Sequence, residues 1–334
     1  MPFALAAVLV VALVVSVTGV WQAGEWRLRT ADAAHARGEC APDGAAAAYE
    51  SARSLSRLSL SSSLTERALS GAEACALLES ARAGAVAGEY GQALDSYGAY
   101  SAHPASRWEG TDGELAALYE AGTGGYADER WCAGFDQIEV FAHADWEAVP
   151  EVAERIAAEH PDAAFRCARE SLDEGDLGTA EDVIDLLESE YPDHETDEVG
   201  RMAARVGAER LGQRMDAIAS FGEEELTMPP TRSSGAGGSV LEISNGVPYP
   251  MRLFYVGPDA VHGEITAPAC EGCGTYDTWE QDVPCSGPVL RAELEPGEYR
   301  LLLTWDGDTG HPWHGTADIA VGGLHEACFV YYRE

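Results

Sequence analysis

Lysine is absent from this chain. Apart from histidine, every cationic side chain is arginine, and the 21 arginines face 57 acidic residues, for a formal net charge of −36. That balance excludes nucleic acid as a partner, because phosphate backbones require a basic footprint. It also argues against direct docking on anionic lipid. The acids are spread along the chain rather than gathered in a tail, which reads as a solvated, self-repelling surface. Compositional bias toward Ala, Gly and Arg explains this more simply than dedicated cation binding. Catalytic motifs are missing as well: there is no G-x-S-x-G, phosphate loop, dinucleotide glycine motif or HExxH. With 57 acids, a chance pair of carboxylates carries no information. The expectation is a non-catalytic protein.

What the chain does have, at its start, is an apolar run from Pro2 to Trp21 with no charge before Glu25. About 20 such residues span a bilayer. The nearest small-residue cleavage pattern, Ala34-His35-Ala36, lies well past the run, and Trp21 and Trp26 fall where interfacial aromatics belong. Residues 1–26 are therefore expected to form an uncleaved transmembrane anchor. The expected location is the cell membrane, single-pass, with an extracytoplasmic body. Arg27, Arg29 and Arg37 support the opposite orientation under the positive-inside rule, and a cytoplasmic body is the alternative.

Residues 27–225 read as an α-helical domain, rich in Ala, Leu and Glu and punctuated by Pro42, Pro104, Pro150, Pro161 and Pro192. Two stretches share a register. Ala81 is followed by Gly88-Glu89-Tyr90, Ala93 and Tyr97, with Pro104 one place early. Ala168 is followed by Gly175-Asp176-Leu177, Ala180, Ile184, Leu187 and Pro192. The small residues allow close helix approach, the glycines turn the chain, and Pro192 ends the unit. A looser copy starts at Gly38-Glu39-Cys40. This register resembles the tetratricopeptide repeat, whose period is about 34 residues, although the Trp and Leu-Gly positions of its first helix are missing. The resemblance implies a helical stack with a concave face for a protein or peptide partner. An ordinary helical bundle with chance turns is the alternative.

Residues 226–239 form a Pro/Gly/Ser-rich linker, after which the pattern alternates in the manner of strands. Seven short candidate strands between Val240 and Tyr332, separated by turn signals, predict an antiparallel β-sandwich over 240–334. Glu295-Pro296-Gly297-Glu298-Tyr299 resembles the PGxY turn of immunoglobulin-like modules, which would aim Tyr299 into the core. The whole arrangement resembles bacterial membrane-anchored proteins that pair tetratricopeptide-like helices with a cysteine-bearing β-domain. No assigned activity follows from that likeness.

The eight cysteines divide four and four. Cys40 and Cys75 are 35 residues apart, as are Cys132 and Cys167. In a helical stack each pair would staple neighbouring units as a disulfide. In the β-domain, two disulfides are expected, one of Cys270 and Cys273 reaching Cys328 and the other reaching Cys285. Structural zinc on Cys270, Cys273, Cys285 and Cys328 is the alternative, weakened by the lack of a second CxxC. A redox-active Cys270/Cys273 pair is a further possibility. His311, His314 and His325 read as ordinary loop and strand histidines, and Asp306, Asp308 and Gly310 as a hairpin turn rather than a calcium loop. The function expected from these features is a protein-interaction or scaffold role in the bacterial cell envelope. A metal-binding or redox-active β-domain is the alternative.

Overall fold

The computed structural model describes residues 2–59, 61–144, 146, 149–220, 224–226, 228–233, 238–273, 286–306 and 312–330. Helices come first and strands second. The chain divides into two compact units, Met1–Cys167 and Ala168–Glu334, and the division falls within one helix.

The first unit holds α1 (Pro2–His35), α2 (Ala45–Ser59), α3 (Ser62–Ala87), α4 (Tyr90–Ala102), α5 (Thr111–Gly122), the single turn α6 (Gly124–Ala127), α7 (Trp131–Ala142) and most of α8 (Pro150–Glu174). Helix α1 does not stop at the end of the apolar run. It continues through Glu25, Arg27, Arg29 and Asp32, and its last turns bury Leu28, Ala31 and Ala34 in the unit's core. Gly24 lies so close to α3 that a Cβ there would sit 2.5 Å from a Leu64 methyl. The expected transmembrane anchor over 1–26 is thereby corrected: among the described residues no helix is long and apolar enough to cross a membrane. The single-pass membrane location falls with it. Apolar length alone signalled a span, whereas the helix goes on as a charged element of the helical core.

Local chemistry explains the helix ends. Ser61 caps α3, its hydroxyl accepting from the Leu64 N–H. Gly88 closes α3 at φ +76°, a left-handed conformation that glycine adopts without a Cβ penalty. Pro150 opens α8, where a missing N–H costs nothing. Pro161, expected to end a helix, lies inside α8.

Among the described residues, the second unit holds the end of α8, α9 (Leu177–Glu190), α10 (Thr196–Ala219) and nine strands: β1 (Glu224–Glu225), β2 (Pro230–Ser233), β3 (Ser239–Gly246), β4 (Met251–Val256), β5 (His262–Ala267), β6 (Val289–Leu294), β7 (Gly297–Trp305), β8 (Trp313–Ile319) and β9 (Gly323–Val330). They form two sheets, ordered β1-β8-β7-β4-β5 and β2-β9-β3-β6. Strand β2 arises inside the segment read as linker. Alternation sorts the side chains: along β6, Leu290, Ala292 and Leu294 are buried and their neighbours exposed. Leu301 and Leu303 of β7 join Leu241, Ile243 and Leu253 in a core shared by both sheets. Leu302 points the other way and packs with Phe254 under Met215 of α10. The apolar run in β7 is thus covered on both faces.

The expected antiparallel, immunoglobulin-like sandwich is also corrected. β3 pairs with β9 in parallel from Val240↔Leu324 to Gly246↔Val330, and β1 pairs with β8 in parallel. Both sheets are mixed, and closure into a sandwich is not shown. Period-2 alternation reports strands and their faces but not the direction of partners far apart in sequence.

Candidate functional site

The polar interior of the first unit centres on His35, which α1 carries into the core with no exposed surface. Its Nδ1 lies 3.1 Å from the Tyr49 hydroxyl and its Nε2 3.0 Å from the Tyr100 hydroxyl. Tyr49 donates to Asp32 Oδ1 at 2.9 Å, and Tyr100 accepts the backbone N–H groups of Arg107 and Trp108. One tautomer satisfies every partner: Nδ1–H donates to Tyr49, and Nε2 accepts from Tyr100. Burial, helped by the Arg107 and His103 charges and opposed by Asp32, pulls His35 down from 6.5 to about 4.

The sign of the consequence follows. Between these values the unfolded chain binds a proton that the folded chain refuses. Stability is therefore full above pH 6.5 and falls as the pH drops toward 4, by up to about 3 kcal/mol from this group. Urea unfolding at pH 7 and pH 4.5 checks this, and His35→Gln is expected to flatten the difference. An equal pH slope in wild type and variant would refute it.

The arrangement around Tyr49 recurs. A buried or half-buried tyrosine donates to a carboxylate that an arginine also holds. Tyr49–Asp32–Arg107 is joined by Tyr97–Glu114–Arg82, with a 2.6 Å hydroxyl bond and a 2.9 Å ion pair. Tyr119–Glu159–Arg155 follows at 2.7 and 3.2 Å, and Tyr126–Asp162–Arg166 at 2.8 and 2.8 Å. Burial and then the carboxylate raise all four phenols, Tyr126 to about 12. Three of these guanidinium groups also lie over aromatic rings: Arg82 over Trp108, Arg155 over Tyr119 and Arg166 over Trp131. A planar fork that bonds a carboxylate edge-on while stacking on a ring is an arginine property, which gives the lysine-free composition a structural use. This triad was not anticipated from sequence.

Both predicted 35-residue disulfides are present. Cys40–Cys75 ties the turn after α1 to α3, and Cys132–Cys167 ties α7 to α8. Potential ligand atoms of His35, Cys40 and Cys75 lie within 4.8 Å of one another. The sulfurs are bonded to each other, however, and both imidazole nitrogens are engaged, so this cluster braces the core rather than presenting ligands. The repeat residues lie around the helix pairs. Ala81, Ala93, Ala168 and Ala180 have no exposed surface, and Tyr97, Leu177, Ile184 and Leu187 are buried. Gly175 turns the chain at φ +79°. Tyr90 opens α4, its hydroxyl donating to the Ala121 carbonyl, and Pro192 follows α9.

A groove of about 800 Å³ opens along α4, between Leu94, Tyr97 and Ala102, Leu115 of α5 and His143–Ala144 after α7. Leu94, Ala99, Ala102, Leu115 and Ala144 supply apolar lining. Asp95, Ser101 and His143 supply polar groups, and His143 bonds Glu139 at 3.1 Å. Tyr97 is fixed from behind by Glu114, so this wall is preformed.

In the second unit Cys270 and Cys273 are bonded to each other. That corrects the expected bridges from this pair to Cys328 and Cys285, and it takes two sulfurs from the alternative zinc set. Cys328 is disulfide-bonded too, while Cys285, Asp308, Gly310 and His311 lie outside the described residues. His325 is a core brace: Nδ1–H donates to the Met228 carbonyl and Nε2 accepts from the Ala320 N–H. His314 pairs with Leu302 across β8 and β7, and Asp306 pairs with Arg252.

No known family model matches the chain, and no curated protein matches it in sequence. Among solved structures, it is similar to the N-terminal part of the bacterial S-layer protein SbsC, at 9% identity over 93% of this chain and 79% of that one, with a TM-score of 0.22. The S-layer protein rSbsC(31-844) is similar at 10% identity over 90% of this chain and 45% of that one, with a TM-score of 0.21. Likenesses at these scores carry neither fold nor function across.

Proposed function

We propose that the protein is an interaction module of an oxidising compartment, and that the α4/α5 groove of its first unit receives an apolar segment of a basic partner. The groove carries the reading: about 800 Å³, lined mostly by apolar residues with a few polar groups, and walled by a tyrosine already locked in place. Preformed concave apolar surfaces with a few polar groups are the usual form of binding sites. The net charge of −36 favours a cationic partner through long-range attraction. The buried, long-range disulfides favour an oxidising compartment.

The test is a titration of the full chain with an arginine-containing amphipathic helical peptide, and with the same peptide carrying glutamate for arginine. The basic peptide is expected to bind at least about tenfold more tightly at low salt, with the gap closing as salt rises. Leu94→Asp and Leu115→Asp are each expected to weaken it by at least about tenfold. Equal affinity for the two peptides, or indifference to both substitutions in folded variants, would overturn the reading.

A further inference from the structure

The Cys270–Cys273 bridge differs from the two helical disulfides in what it joins. Those connect residues 35 apart and are largely buried: Cys40, Cys75 and Cys167 are at most 1% exposed. This one connects residues three apart. A cross-link constrains the unfolded chain in proportion to the logarithm of the loop that it closes, so a bridge this short contributes least to stability. It lies in the turn after β5, with Glu271 and Gly272 between the cysteines exposed to solvent and both sulfur-bearing residues half-buried.

The surroundings hold Cys270 in place. The Cys270 N–H donates to the Val247 carbonyl at 3.0 Å. Asn245 fixes the facing loop, its amide donating to the Tyr249 and Pro268 carbonyls. Gly287, at φ +139°, lets the backbone pass beside Cys270, where a Cβ would sit 2.3 Å from the Asn245 carbonyl oxygen and 3.3 Å from the Cys270 sulfur. The Cys273 sulfur lies 3.2 Å from the Ser286 carbonyl oxygen. A short, half-buried Cys-x-x-Cys ring whose two intervening residues are exposed, and which contributes little to the fold, has the attributes of an exchanging disulfide.

We propose that Cys270–Cys273 is a thiol–disulfide exchange site whose substrate is a protein or peptide dithiol. A substrate thiolate attacks Cys273 Sγ. The Cys270–Cys273 bond breaks, its electron pair leaves on Cys270 Sγ and takes up a proton, and a mixed disulfide joins substrate to Cys273. The substrate's second thiolate then attacks its own sulfur of that mixed disulfide and expels Cys273 as a thiolate, which is protonated. The substrate has lost two electrons and become a disulfide, and the Cys270/Cys273 pair has gained them as two thiols. Glu271, between the cysteines, favours a substrate carrying basic residues.

The experiment treats the full oxidised chain with limiting dithiothreitol and, in a separate sample, with a reduced arginine-containing Cys-x-x-Cys peptide, the thiols formed being located by alkylation and mass spectrometry. Cys270 and Cys273 are expected to be reduced at least about tenfold faster than Cys40–Cys75 and Cys132–Cys167. One equivalent of peptide is expected to be oxidised per chain, and this is lost in Cys270→Ser/Cys273→Ser at unchanged Tm. Cys270→Ser, given the peptide as its disulfide in place of the dithiol, is expected to form a mixed disulfide through Cys273, the peptide's other sulfur leaving as a thiol. Reduction no faster than that of the helical bridges, failure of the peptide to be oxidised, or a double variant destabilised as much as a Cys40/Cys75 variant would make the bridge structural and overturn the proposal.

Discussion

Gly71→Ala is expected to destabilise the first unit by about 4 kcal/mol, combining overpacking with the loss of buried hydrogen bonds. Position 71 lies in α3 against the Tyr49 ring of α2. A Cβ there would stand 2.4 Å from two ring carbons and 2.8 Å from the hydroxyl oxygen. The ring has no exposed surface and its hydroxyl is fixed between His35 and Asp32, so it cannot step aside without orphaning the buried Nδ1–H of His35 and breaking its own bond to Asp32. Overpacking contributes about 1–3 kcal/mol and each orphaned buried polar group about 1–3 kcal/mol more. Urea unfolding followed by circular dichroism measures the total. Trimming the obstacle should restore part of the loss, so Gly71→Ala combined with Tyr49→Leu is expected to fall short of the sum of the single changes. A loss below about 1 kcal/mol in Gly71→Ala would mean that the α2–α3 contact is looser than described.

The second large effect is expected from removing the Cys40–Cys75 bridge. Its 35-residue separation corresponds to about 4 kcal/mol of chain-entropy stabilisation. The bridge also fixes the turn that delivers His35 to Tyr49 and Tyr100. Cys40→Ser/Cys75→Ser is therefore expected to lower Tm in a single transition of the first unit, and to weaken the pH dependence that His35 imposes. Removing Cys132–Cys167, of equal separation, provides the comparison: a similar entropic loss with the His35 pH dependence intact. A Cys40/Cys75 variant as stable as the parent would contradict the account.

Elements that depend on near neighbours were legible in the sequence. Gly88 and Gly175 announced the turns ending α3 and α8, and the two 35-residue cysteine spacings announced their disulfides. The Tyr–carboxylate–Arg triads were not legible, because hydroxyl and carboxylate stand 17 to 40 residues apart and no local pattern marks one acid out of 57. The course of α1 was misread for a related reason. Apolar length dominates its first half, whereas its role is set by Leu28, Ala31 and His35 meeting α2 and α3. The parallel pairing of β3 with β9 joins strands about 80 residues apart, beyond the reach of alternation. The Cys270–Cys273 bridge is local, yet spacing alone does not separate a bridge within CxxC from one reaching a distant cysteine.

Hydrogen exchange on the full chain, with and without a saturating basic amphipathic peptide, tests the binding groove most directly. The account predicts added protection concentrated in 94–102, 111–118 and 141–144, with the sheets of the second unit unchanged. Protection elsewhere, or none at saturation, would contradict it.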